Sequence, residues 1–404
     1  MSQSWDEKRD IFDVRGRGLQ HHGLRRANER AVLTIITFNS GVSNAEISRL
    51  SGLAPQTVSA ILVDLEESGL IARGQVLRGR RGQPATPIFL RADGAYSIGC
   101  EIGWRHFEIV LIDLYAQVLG RIHQDYDFPD ARVIAGQVGA AARSLLASLT
   151  DEQRARIGGM GVALPSNLVR NLHLVDAPSE QAALWQELDL AEALTRDTGV
   201  DVSIHNDGNA ACWAELISIP RPRPGDFVYL LISTYIAAGI VGQGTLWEGS
   251  TGNSANLGSM LVNDGPDSAQ VVHSVASINA LLARLQAAGR PIPAGVPESW
   301  DWPSLEPVLT QWIEAAASAL ARVIFNSTAV IESSLAIVDG VMPRPVVERL
   351  VSRIGDHLGR LPVTGLVIPP VVIGHLGSLA PAIGAAELPI YKRYFSRTIA
   401  DIVE

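Results

Sequence analysis

Cysteine is nearly missing from this sequence: Cys100 and Cys212 are all that 404 residues contain. Two thiols can form one disulfide at most, and they supply neither a disulfide framework nor a four-cysteine metal site. Long hydrophobic runs are missing too. Apolar stretches such as Ile109–Ile112 and Val228–Ile232 fall far short of the roughly 20 residues that span a bilayer. The opening residues, MSQSWDEKRD, carry no apolar core of a secretory signal. These absences lead us to expect a reduced, cytoplasmic chain with no membrane partner. Charge is sparse at 19% against 47% hydrophobic residues, which excludes global disorder and leaves a core large enough for two or three domains.

What charge there is lies unevenly. The net charge is −9, yet residues 1–92 hold 13 Lys and Arg against 9 Asp and Glu, while the remainder is strongly acidic. An acidic body argues against general coating of nucleic acid. A locally basic amino-terminal module is what a specific DNA reader needs, because phosphate neutralisation is local.

Along the chain, residues 1–24 are polar and aperiodic and read as a flexible arm. From Ala27 the spacing of Ala31, Leu33, Ile35, Ile36 and Phe38 predicts a helix with one buried face. Ser43-Asn-Ala-Glu46 has the capping-box pattern and opens a second helix from Ala45 to Leu50. After the turn Ser51-Gly-Leu53, Ala54 or Pro55 opens a third helix ending at Gly69, with Val58, Ile61, Leu62 and Leu65 at helical spacing. A strand starts at Leu70, and Gln75–Ala92 reads as a hairpin wing. From Tyr96 the texture changes to three short strands, then alternating helices and strands to the end, which predicts α/β layers. Helices are expected over about 131–150 and Leu184–Thr198, and strands over Val202–Ile204 and Val367–Ile373. The tract Ile219–Gly225, IPRPRPG, reads as a rigid connector between two lobes.

Residues 45–71 describe two helices crossing over a short turn, a helix-turn-helix. The amino-terminal end of the second helix is the part that meets base edges in the major groove. It offers Pro55, Gln56, Thr57 and Ser59. Glutamine can bond an adenine edge in bidentate fashion, and the hydroxyls can bond bases or phosphates. Between Arg73 and Arg91 inclusive stand five arginines and no acid. Of these, Arg78, Arg80 and Arg81, together with Gln83, are the expected DNA contacts of the wing. A solvated hairpin, or a helix-turn-helix that binds protein, remains the plainer alternative.

Taken together, these segments resemble the ROK family (repressors, open reading frames and sugar kinases) from about Asn28 to Ala386, and within it the repressor branch of the xylose-operon and N-acetylglucosamine type. The resemblance implies an N-terminal winged helix-turn-helix joined to an actin-like ATPase fold of the hexokinase type, two α/β lobes with a sugar cleft between them, and homodimers or higher oligomers. It divides the chain into an arm (1–24), a winged helix-turn-helix (25–92) and a kinase-like body (93–404). Lobe I then takes about 93–217 plus the C-terminal helix, and lobe II about 225–383.

Motif by motif, the kinase chemistry is degraded. Where the family has its first phosphate loop, this chain reads Glu101-Ile-Gly103-Trp104-Arg105. Bulky Trp104 blocks the close backbone approach that phosphate requires, although Arg105 can attract an anion. The catalytic segment resembles His205-Asn206-Asp207-Gly208. In the kinases its aspartate accepts the sugar's proton. Here Asn206 and Asp207 either contact a sugar or cap the helix that begins at Gly208. The second phosphate loop reads Ser233-Thr234-Tyr235-Ile236-Ala237-Ala238-Gly239, and the adenosine-side pair reads Asp339-Gly340. In the sugar and zinc segment, Asn256 and Ser259 stand for the family's glutamate and histidine, no cysteine follows, and His273 falls where a second sugar-binding glutamate is usual. These losses imply no metal, no cofactor and no enzyme.

Ser166, Asn206, Asp207, Asn256, Ser259 and His273 are expected to line a polar cleft for a sugar or sugar-derived effector, unless the cleft is empty and structural. If His273 touches Asp207, binding there depends on pH. The function implied is a DNA-binding transcriptional repressor acting on a double-stranded operator. The alternatives are a sugar kinase with a regulatory head, a regulator controlled by protein contact, and constitutive DNA binding with a purely structural body.

Overall fold

The computed structural model describes residues 21–75, 86–166, 168–262, 269–363 and 365–396. The head is built from α1 (His21–Phe38), α2 (Asn44–Ser51), α3 (Pro55–Glu67), β1 (Ile71–Arg73) and β2 (Ile88–Leu90). The residues expected to be a flexible arm are therefore helical from His21 onward. The capping box at α2 is fully formed: Glu46 N–H donates to Ser43 Oγ, and Ser43 N–H donates back to the Glu46 carboxylate at 2.8 Å. Gly52, at φ +69°, stops α2 in the left-handed region where a Cβ is disfavoured. Pro55 occupies the start of α3, where its missing N–H leaves no bond unmade. β1 and β2 pair antiparallel with Ile71 opposite Leu90, and Val42 adds a bridge to Ile88.

The body begins with β3 (Tyr96–Ile102), β4 (His106–Asp113), β5 (Val118–Asp125), α4 (Ile134–Ala147), α5 (Asp151–Arg154) and β6 (Ile157–Leu164). It continues with α6 (Leu168–Asn171), α7 (Gln181–Glu187), α8 (Leu190–Thr198), β7 (Val202–Asn206) and α9 (Asp207–Ser218). Its second half holds β8 (Phe227–Ile232), β9 (Ile236–Gly242), β10 (Thr245–Leu246), α10 (His273–Ala276), α11 (Ile278–Ala287) and α12 (Val308–Ile331). β11 (Leu335–Gly340), α13 (Arg344–Leu358), β12 (Val371–Ile373) and α14 (Ala380–Tyr394) complete it. Two expectations need correction. The helix expected over 184–198 is two helices, because Asp189 accepts the Glu192 N–H and caps a fresh start. The strand expected over 367–373 is confined to Val371–Ile373.

The strands form two sheets of one plan. The first runs β5-β4-β3-β6-β7 and the second β10-β9-β8-β11-β12. In each, the first three strands form an antiparallel meander and the last two add in parallel. β3 is buried along its whole length because helices cover both faces, whereas β5, at the edge, alternates. The Ile219–Gly225 tract does lie between the lobes, joining α9 to β8. α12 is long and apolar enough to cross a bilayer by composition, and most of it is buried in the core of the second lobe.

α14 returns from the second lobe to lie across β3, β6 and α9. The approach is so close that a Cβ on Gly161 would overlap the Ala385 carbonyl, and one on Gly384 the Ala210 carbonyl. Gly161→Ala is therefore expected to destabilise the chain by about 1–3 kcal/mol, because the obstructing atoms are backbone. A lowered denaturation midpoint at constant slope is the readout, and an unchanged midpoint would refute the packing.

The core of the head is continuous with that of the body. Val32, Ile36, Ile47, Val58 and Leu62 belong to the same apolar cluster as Val110 and Ile112 of the first lobe and Tyr391 and Phe395 beyond it. Polar ties reinforce the join: Ser396 N–H donates to Thr34 Oγ1 at 3.0 Å, and Arg221 donates to Asn39 Oδ1 at 2.8 Å. The guanidinium groups of Arg221 and Arg223, from the interlobe connector, lie 5.6 and 4.7 Å from the Phe38 ring centre. Both cysteines are free and buried, with their thiols pushed to higher pKa by burial.

Candidate DNA interface and ligand cleft

On α3, Pro55, Gln56, Thr57 and Ser59 are all exposed. They are not equally available. Ser59 Oγ donates to the Pro55 carbonyl at 2.9 Å and accepts from Asn44 Nδ2 at 2.8 Å, so it braces α2 against α3. The side chains of Gln56 and Thr57 make no hydrogen bond among the described residues. Arg49 adds an exposed cation at the end of α2. An ion pair between Arg25 and Asp64 ties α1 to α3.

The basic wing is reduced at its base. Arg73 pairs with Glu66 at 2.7 Å and Arg91 with Asp93, two partners just outside the acid-free stretch. Arg78, Arg80, Arg81 and Gln83 lie outside the described residues.

Between the lobes is a cavity of 570 Å³, and Ser166, Asn206, Asp207, Asn256, Ser259 and His273 all stand on its wall. Asn206 both caps and faces the cavity. Its Oδ1 accepts the Asn209 N–H at 2.9 Å, while its Nδ2 donates to Ser166 Oγ at 2.8 Å and Asp207 Oδ1 at 3.0 Å. α9 thus begins at Asp207, one residue before the expected Gly208. Asp207 Oδ1 also accepts the Gly208 N–H at 2.7 Å. Ser259 Oγ donates to Asn256 Oδ1 at 3.1 Å.

Burial, helped by the charge of Glu101, raises the Asp207 carboxyl from 3.8 to about 7. The folded chain therefore keeps a proton that the unfolded chain releases from about pH 4 upward, and stability falls as pH rises from about 4 to about 7. Asp207→Asn is expected to melt higher than the parent at pH 8 and level with it at pH 4. Equal melting temperatures at both pH values would contradict the assigned burial.

His273 is not paired with Asp207. Its Nδ1 accepts the Ile236 N–H at 3.1 Å, and its ring meets Tyr235 edge-on at 5.7 Å. Burial lowers it from 6.5 to about 4, so it is neutral with its proton on Nε2. Tyr235, from the second phosphate-loop position, reaches across the cleft. It packs edge-on against Trp104 of the first lobe at 5.0 Å, and its hydroxyl faces the Leu174 carbonyl at 3.4 Å. The positions of the two phosphate loops are thus filled by one aromatic contact between lobes. Asp339 accepts from the Gly340 N–H at 2.9 Å and the Gly377 N–H at 2.7 Å, occupying amides at the adenosine-side position. Arg105 is not on the cavity wall; its guanidinium donates to the Asp127 carbonyl at 3.0 Å. Glu101, at the first phosphate-loop position, is a site residue that the sequence reading does not single out; it is buried at the cavity wall beside His106.

Among the described residues, no three His, Cys, Asp or Glu side chains gather as a metal site.

Residues 25–72 match the profile of winged helix-turn-helix DNA-binding domains, and residues 97–391 match that of the ROK family. An uncharacterized protein of Sinorhizobium fredii is 26% identical over 376 residues, 93% of each chain. The xylose repressor of Bacillus spizizenii is 26% identical over 247 residues, 60% of this chain and 62% of that protein. The crystal structure of a ROK-family transcriptional regulator, a homologue of the Escherichia coli Mlc protein, superimposes with a TM-score of 0.69 at 18% identity, covering 94% of this chain and 99% of that one. Two lobes of one topology, a helix-turn-helix head joined to the first of them, and a family profile running from Ser97 to Tyr391 place this chain in the ROK family.

Proposed function

We propose that this chain is a cytoplasmic, homodimeric DNA-binding transcriptional repressor whose operator affinity is set by a sugar or related polar effector in a non-catalytic cleft. The supporting observation is a pairing: a recognition helix with Gln56 and Thr57 unengaged at its exposed end, on a body whose phosphate-loop positions are filled by Trp104 and Tyr235. The relatedness to a xylose repressor supports the same reading. We take residues 25–92 as the head and 93–404 as the body. The mechanism is linkage. An effector that favours one lobe angle displaces the connector that grips Phe38, and with it the spacing of paired heads on a two-fold operator.

Selection of bound genomic fragments by the purified full chain tests the reading. Gln56→Ala is expected to relax base preference at one position of each half-site by about 1–3 kcal/mol. Replacing Arg80 and Arg81 together by alanine should weaken all sequences alike and reduce the salt slope by about 1 per lost phosphate contact. If neither variant changes fragment affinity, the head does not read DNA as proposed. A kinase reading requires ATP to be consumed with a hexose; we expect none, because Asp339 and Trp104 stand where nucleotide and phosphate would bind.

A further inference from the structure

We infer that the effector of the interlobe cleft is a cation: an amine-bearing polyol, such as a sugar with a free amino group, seated between the Trp104–Tyr235 wall and the carboxylates of Glu101 and Asp207. The inference rests on the reading of this cleft as an effector site and adds its charge.

The cavity wall holds two carboxylates, Glu101 and Asp207, and neither lysine nor arginine. An anionic ligand, whether a sugar acid or a phosphate, would find no lysine or arginine counter-charge on that wall. The two histidines do not supply one. His273 is neutral at physiological pH, and its Nδ1 is held by the Ile236 amide. His106 stands 3.7 Å from Glu101. Burial alone would lower it, but Glu101, Glu108 and Asp125 outweigh that and raise it, and the imidazole faces Glu101.

Asp207 is the group left over. Both of its hydrogen bonds, from Gly208 N–H and Asn206 Nδ2, fall on Oδ1. Oδ2 keeps its lone pairs for the cavity. The titratable groups at this end of the cavity are Glu101 and His106 from the first lobe and Tyr235 and His273 from the second. None gives Asp207 a free cation. Beside a neutral polyol the buried Asp207 meets its desolvation by holding a proton up to about pH 7; an ammonium can take that proton's place. An ammonium would be matched by Asp207 and Glu101 in a cavity whose wall also carries the rings of Trp104 and Tyr235, and aromatic rings are favourable neighbours for a cation. Asn256, Ser259 and Ser166 remain for hydroxyl groups. Such a cation draws the Asp207 carboxyl down from about 7, so binding near neutral pH releases a proton.

The test uses matched probes on the full chain: N-methylglucamine, sorbitol and gluconate, which share an open polyol frame and differ in charge, with glucosamine and glucose as a ring pair. Titration calorimetry at pH 7 in two buffers of different ionisation heat reads affinity and proton release together. At least one amine should bind ten-fold or more tightly than its neutral counterpart and release up to one proton, and gluconate should not bind. Asp207→Asn should reduce the amine's advantage to less than three-fold, whereas Asn256→Ala should weaken amine and neutral probe alike. The inference is overturned if a neutral probe or gluconate binds as well as the amines, if no amine binds, or if the advantage survives in Asp207→Asn. Fragment binding measured on the same preparation separates the failures. DNA bound with no preference for amines sinks only the charge inference, and no DNA bound at all sinks the proposed function.

Discussion

Trp104→Ala should destabilise the chain by about 3–4 kcal/mol and loosen the two lobes from each other. The indole is 9% exposed and packs among the apolar residues of the first lobe. Truncating a buried tryptophan costs about 3–5 kcal/mol, and an edge-on aromatic pair contributes about 1 kcal/mol within that range. The partner ring belongs to Tyr235 on the opposite lobe, so the loss falls on the contact that fixes the cleft mouth. Solution scattering should then report a larger radius of gyration without a change of oligomeric state, and fragment affinity should change although no head residue has been altered. Tyr235→Phe is the control: its hydroxyl has a 3.4 Å contact to the Leu174 carbonyl and a hydrogen bond with the Asn279 side chain, so loss of that group should cost about 1 kcal/mol, well below the cost of removing the indole. Unchanged scattering and melting for Trp104→Ala would mean that the lobes are held elsewhere.

A second strap lies at the hinge. Glu215 of α9 is fully buried, and its carboxylate accepts from His375 Nδ1 at 2.5 Å and from the His375 backbone N–H at 3.1 Å. His375 follows β12, so the bond joins the second lobe to a helix of the first. His375→Ala strands a buried carboxylate with only the backbone donor, and a loss of about 2–3 kcal/mol is expected at neutral pH. Burial already raises the Glu215 carboxyl above its ordinary value, against the pull of His375. A carboxyl raised in the folded state is stabilising when protonated, and that contribution fades as pH climbs through its folded pKa. Removing the imidazole raises it further, so the deficit should be widest near pH 8 and narrow toward pH 4. A deficit independent of pH would mean that His375 acts by packing, not by pairing with Glu215.

The head was legible because its signals are local. The capping box Ser43–Glu46, the Pro55 start and the apolar spacing of α3 each act within a few residues, and each sits where the sequence reading puts it. The fold and the shared wall of the six cleft residues were legible through resemblance, since motif order carries topology. What escaped was set by distant partners. Arg105 turns to a carbonyl 22 residues away, whereas Arg73 and Arg91 pair with acids close by in sequence, just beyond the acid-free stretch. Tyr235 reads in sequence only as part of a degraded phosphate loop, because its ring partner, Trp104, lies in another lobe. Glu215 and His375 are 160 positions apart, and no periodicity links them. The break at Asp189 was hidden by apolar residues that continue in register on both sides.

The burial of Cys100 and Cys212 makes the chain a ready host for reporter chemistry. Thiol reagents need an accessible thiolate, and these two side chains offer neither access nor ionisation. A single cysteine introduced on each lobe surface would therefore be the only labelled positions. Spin or dye pairs placed there would read the hinge angle in solution, on an unreduced background, while operator fragments and candidate effectors are added in turn.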